Sequence, residues 1–113
     1  MSANRRRGEV AAELDGKHYR LCLTLGALAE LEASYAADDL SALVERFSSG
    51  RLAASDMIRI IGAGLRGAGQ DLPDQAVAAM QAQGGVAGFA AIVSDLLTVT
   101  FGAVPATGDA QNP

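Results

Sequence analysis

Residues 9–24 read EVAAELDGKHYRLCLT. Val10, Ala12 and Leu14 alternate with Glu9, Ala11 and Glu13, the period-two pattern of a half-buried strand. Asp15-Gly16 follows, a dipeptide that tolerates the positive φ of a tight hairpin turn. The return strand places Tyr19, Leu21 and Leu23 on one face and His18, Arg20, Cys22 and Thr24 on the other. A lone hairpin is marginal in water, so its apolar face needs a cover supplied by the rest of the chain.

That cover reads as helical. Thr24 is placed to cap a first helix, in which Leu28, Leu31 and Tyr35 recur at spacings of three and four. Asp38 or Asp39 caps a second, with a stripe of Leu40, Leu43, Val44 and Phe47 and a stop at Gly50. A third starts at or just before Ser55. It sets Met57, Ile61, Gly64, Leu65 and Ala68 on one side and Arg59 and Arg66 on the other. Pro73 suits the first position of a short fourth helix carrying Val77 and Met80. After Gly84-Gly85 comes a last helix, with Phe89, Ile92, Val93, Leu96 and Thr100 on one face and Leu97, Val99 and Phe101 widening it. The expected class is α+β: an N-terminal β-hairpin followed by a small, predominantly α bundle of four to five helices. Residues 1–7 are expected as a flexible basic tail, 8–102 as one domain, and 103–113 as a disordered tail.

With 113 residues, half of them hydrophobic but only five Phe or Tyr, the chain suits one domain packed through small residues. Net charge is −4; setting aside Arg5–Arg7 leaves six basic against thirteen acidic residues, or −7. A general nucleic-acid face is not expected from that balance, and a DNA-binding regulator is disfavoured. Cys22 is the sole cysteine, which excludes an internal disulfide and a zinc knuckle. Arg5 to Gly8 lead into the strand pattern rather than an apolar signal segment, and no apolar run approaches the ~20 residues of a membrane span. A cytoplasmic protein without a membrane partner is expected.

Gly62, Gly64 and Gly67 match G-x-G-x-x-G, the pattern of a dinucleotide loop. Asp56 and Arg59 precede it at helical spacing, and no later strand completes a βαβ unit, so close helix packing is the expected use. His18 and Cys22 share a strand face, but nothing near them in sequence orients a base or lowers a thiol pKa. Asp38, Asp39, Asp71 and Asp74 sit where helix capping accounts for them. No catalytic, cofactor-binding or metal residues are expected.

The opening Asn4-Arg5-Arg6-Arg7-Gly8-Glu9-Val10 resembles the start of the tail proteins of alphaproteobacterial gene transfer agents, which are phage-like particles. Leu14-Asp15-Gly16-Lys17, the run from Leu23 to Glu32, Gly50-Arg51-Leu52 and Gly62-Ala63-Gly64-Leu65-Arg66-Gly67 are similar to the same family. The resemblance spans about residues 4–102; Pro73, where a Ser or Thr cap is expected, and the stretch from Gly84 depart from it. It implies tail morphogenesis without enzymatic activity. The expected role is that of a tail-assembly chaperone, because one hairpin followed by helices does not build a β-sheet tube ring; the alternative is a structural tail component, tube or tube-terminating. The chaperone reading brings as partners the tape-measure protein and tail tube subunits, with self-association open. Leu40, Leu43, Val44 and Phe47, with Ile58 and Ile60 on the shoulder of the third helix, are the candidate groove for an apolar stripe of the tape measure. Ordinary burial within the domain is the competing account of the same six.

Overall fold

A computed structural model describes residues 5–34, 45–47 and 49–102. Strand β1 (Glu9–Leu14) pairs antiparallel with β2 (Lys17–Cys22), in the register Val10↔Leu21, Ala12↔Tyr19 and Leu14↔Lys17. Asp15 and Gly16 both have positive φ, 54° and 74°, as a type I′ turn requires. Val10, Ala12, Leu14 and Leu21 are buried, so the alternation read from the sequence is the alternation of the sheet. Ahead of β1, Arg5–Arg7 form a single 3-10 turn.

Helix α1 (Leu25–Ser34) starts as its sequence dictates. The Thr24 hydroxyl accepts from the Ala27 amide at 3.1 Å, and the Thr24 carbonyl accepts from the Leu28 amide at 2.8 Å. Ala27 and Leu31 are its buried residues. The expected second helix is described only at its end, where residues 45–47 are helical. Gly50, φ 73°, stops it: the Gly50 amide donates to the Phe47 carbonyl and the Arg51 amide to the Arg46 carbonyl, a Schellman pattern.

Helix α2 (Ala54–Gly67) is the centre of the molecule, packed against α1, β2 and the two helices that follow. Its start is secured by Asp56, whose Oδ2 accepts from the Ala53 amide at 2.8 Å. Helix α3 (Asp74–Ala78) begins one residue later than expected, with Pro73 outside it in extended backbone. Between α3 and the last helix the chain returns to the hairpin. The Asp15 amide donates to the Gln81 carbonyl, the Gln81 amide to Asp15 Oδ1, and Leu14 bridges to Ala82. Helix α4 (Val86–Phe101) then runs back under β1. Val93, Leu96 and Leu97 are buried in it, whereas Phe101, expected on the apolar face, is 41% exposed because the helix overruns the core. Among the described residues, no helix is long and apolar enough to cross a membrane.

The three glycines explain how α2 reaches so many neighbours. A Cβ on Gly62 would collide with Asp74 at the start of α3. One on Gly64 would lie 2.8 Å from Leu96 Cδ2 of α4 and 3.3 Å from Leu21 Cβ of β2. One on Gly67 would collide with the Cys22 carbonyl oxygen. Between them the three glycines admit α3, α4 and β2, so the pattern serves close packing of the chain against itself.

Candidate functional site

The short α3 leaves part of the first half of α2 uncovered. Met57 and Ile58 of α2, Val77 and Met80 at α3, and Val86 and Phe89 of α4 border an apolar groove of about 190 Å³. The walls follow from the chain's own spacing. Ile58 and Ile61 lie one turn apart along α2, and a five-residue helix is too short to close over both. At the open rim Val86 is 74% exposed. Such a groove can take an aromatic ring or the apolar edge of a helix.

Ion pairs at both ends of α2 hold these walls. Arg66 Nη1 donates to Asp74 Oδ1 at 3.0 Å and to the Leu72 carbonyl at 2.8 Å. Its Nε and Nη2 both donate to Glu30 Oε1, at 3.0 and 2.8 Å. One guanidinium thus joins α1, α2 and the start of α3, using the fork geometry that a lysine lacks. The hydrogen bond to Glu30 is the largest cause holding the Arg66 pKa above its ordinary value; burial opposes it, and Asp74 reinforces it. At the other end of α2, Asp56 is 4% exposed and accepts from Arg46 at 2.6 Å, which fixes the helical residues 45–47 against the start of α2.

A second, open recess lies at the hairpin turn, bordered by Glu13, Asp15, Gln81 and Gln83. Its Asp15 carboxylate is already engaged by the Gln81 amide. Among the described residues, no group of three or more His, Cys, Asp and Glu is placed to hold a metal ion. His18 stands opposite Glu13 and Cys22 opposite Glu9 in the ladder, and the Cys22 thiol donates to the Arg7 carbonyl at 3.7 Å.

The six candidate partner-binding residues separate. Leu40, Leu43 and Val44 lie outside the described residues. Phe47 is half-buried against the core. Ile58 is half-buried and borders the groove. Ile60 is 0% exposed: α2 is covered on so many sides that residues 60–65 are all buried, and no shoulder remains for Ile60 to present. Met57, Val77, Met80 and Phe89 were legible only as core positions, and the groove appears where that core is incompletely roofed. The roles of Arg66 and Asp56 were missed as well. Asp56, three residues after Ala53, stands at capping-box spacing, a local signal that could have placed it. Arg66 has partners 36 and eight residues away, beyond any helical spacing.

A family model described as "Phage tail tube protein, GTA-gp10" matches residues 7–103, which take in the hairpin and all four labelled helices. No curated protein matches the chain, and no solved structure does.

Proposed function

The chain belongs to the phage tail tube protein family GTA-gp10, and from that premise we propose that it is a non-enzymatic tail-assembly chaperone of a gene transfer agent, binding the tape-measure protein and promoting tube assembly. The observation that carries this reading is the balance of the fold. The described residues hold two strands of six residues each, with β2 backed by α2 and α4 and β1 backed by α4. A subunit that lines a tube with continuous sheet needs long strands, and two strands of six residues on a helical body do not supply them.

An apolar groove beside a central helix suits the task. A long helical tape measure must have its apolar stripe covered before the tube forms, and a groove bordered by Met57, Ile58, Met80 and Phe89 accepts such a stripe. Ile58 is the groove contact first in line for that stripe, and Phe47, with Leu40, Leu43 and Val44 near it in sequence, would extend the contact.

The test is co-expression with the tape-measure protein of the same particle, followed by affinity pull-down and size-exclusion chromatography. Co-elution in several copies, with the tape measure soluble only then, is the expected result; Ile58→Glu, folded by circular dichroism, weakens it. The family description favours a second reading, a structural component that stays in the tail. Stoichiometric presence of the chain in purified particles, measured by mass spectrometry, would establish that reading and overturn the first. Particle production unchanged in a His18→Ala, Cys22→Ala double variant is expected of a protein with no catalytic task.

A further inference from the structure

We propose that residues 69–85 form a strap over α2 that opens as a unit while the rest of the domain stays folded, lengthening the apolar groove into a trough. The segment carries α3 and is bounded by glycines with positive φ, Gly69 at 101° and Gly84 and Gly85 at 90° and 64°. Changes of backbone direction concentrate at such points, where no side chain resists them. Among the described residues 69–85, only Val77 is buried, while Leu72, Met80 and Ala82 are half-buried against the core. A stretch with so little buried apolar surface opens at a lower free energy than core strands and helices.

Polar fastenings hold the strap at either end. Arg66 of α2 ties Asp74 and the Leu72 carbonyl. Asp15 of the hairpin turn ties Gln81 twice, from its amide to the Gln81 carbonyl at 2.8 Å and from the Gln81 amide to its carboxylate at 2.9 Å. The Asp74 side chain is 39% exposed and Asp15 is exposed, so water takes over these partners as the strap lifts.

The face of α2 beneath is what the opening bares. Val77 borders the groove with Ala54, Ile58 and Ile61, and the Asp74 carboxylate lies over Gly62. Ala54, Ile58, Ile61 and Gly62 follow the i, i+4, i+7, i+8 spacing of a single helix face, about 12 Å long at 1.5 Å per residue. With the strap in place the groove measures about 190 Å³, and a cavity of roughly 150 Å³ holds one benzene. The closed groove therefore receives one side chain of a helical stripe, and the open face receives its neighbour one turn along. That use of the trough rests on the chaperone reading; the opening itself does not.

Native-state hydrogen exchange of the full chain, read by NMR at low urea concentrations, tests the opening. The amides of Ala76, Val77, Ala79, Met80 and Gln81 are hydrogen-bonded in the closed form. Their protection is expected to be roughly a hundredfold or more below that of residues 61–65, with weaker dependence on urea. Val10→Ala, a core change in β1 away from the strap, is expected to speed exchange at residues 61–65 and leave the strap amides unchanged. Asp74→Asn, and Asp15→Gly, which keeps the positive φ of the turn, are expected to speed the strap amides roughly two- to fivefold. Glu32→Gln, exposed on α1, is expected to leave them as they are. In a Cys22→Ser background, Ile61→Cys is expected to react with iodoacetamide at the frequency of strap opening, although Ile61 is fully buried in the closed form. Strap amides that exchange only with global unfolding, or that speed with Val10→Ala as much as residues 61–65 do, would overturn the proposal. So would indifference to both fastening variants, equal acceleration by Glu32→Gln, or Ile61→Cys labelling only at the global rate. No tape-measure protein is present in these samples, so the outcome is independent of the chaperone reading.

Discussion

Replacing Gly67 with alanine sets two known effects against each other. In a helix the exchange of Gly for Ala gains up to about 1 kcal/mol in propensity. At the last residue of α2, however, the new methyl would collide with the Cys22 carbonyl oxygen and lie 3.2 Å from its carbon. That obstacle is backbone at the end of β2, so no rotamer change relieves it. The Ala27 Cβ at 3.4 Å closes another direction of retreat. Overpacking of this kind costs about 1–3 kcal/mol, and the propensity gain offsets only part of it. The net expectation is a loss of about 1–2 kcal/mol, or about 5–15 °C in Tm for a domain this size. The internal control is Gly26→Ala in α1, where the nearest atom is Thr24 Oγ1 at 3.8 Å, an ordinary contact. That variant is expected to gain a few tenths of a kcal/mol, up to about 1. Urea unfolding followed by circular dichroism reads both, with the m-value checking that the denatured state is unchanged. If Gly67→Ala were stabilised as Gly26→Ala is, α2 would not depend on close approach to β2, and the account of the glycine pattern would fail.

Arg66→Lys keeps the charge but loses the fork to Glu30, Asp74 and the Leu72 carbonyl. Since both carboxylates are partly exposed, a loss of only about 1 kcal/mol is expected in urea titrations, shrinking in high salt. The Arg66 pKa is raised on folding, so its contribution is fully present below the unfolded value and lost only above the folded one. The deficit of Arg66→Ala should therefore show no Arg66 titration between about pH 6 and 9. Asp56→Ala removes the acceptor for both the Ala53 amide and Arg46 from a buried position, and a loss of about 2–4 kcal/mol is expected. Exposed Asp71→Ala, by contrast, should stay within about 0.5 kcal/mol; similar losses for the two would refute the role given to Asp56.

The hairpin was legible because its determinants are local: the alternation from Glu9 to Leu14, the Asp15-Gly16 turn and the Thr24 cap act within a few residues. The order of helices was legible for the same reason, since Gly50, Pro73 and Gly84-Gly85 interrupt the backbone wherever the rest of the chain lies. The family resemblance came from those ordered local segments as well, and the match over residues 7–103 agrees with it. Which faces of α2 and α4 are covered depended instead on distant partners. Ile60 lost its place on a surface because its side of α2 is covered by the core. Phe101 gained one because α4 runs past the core. The groove exists only because α3 is one turn long and is fastened at Asp74 by an arginine eight residues earlier. Sequence determined the elements, through backbone conformation and short-range hydrogen bonding; tertiary structure alone decided the groove, because an unfilled space belongs to no single segment.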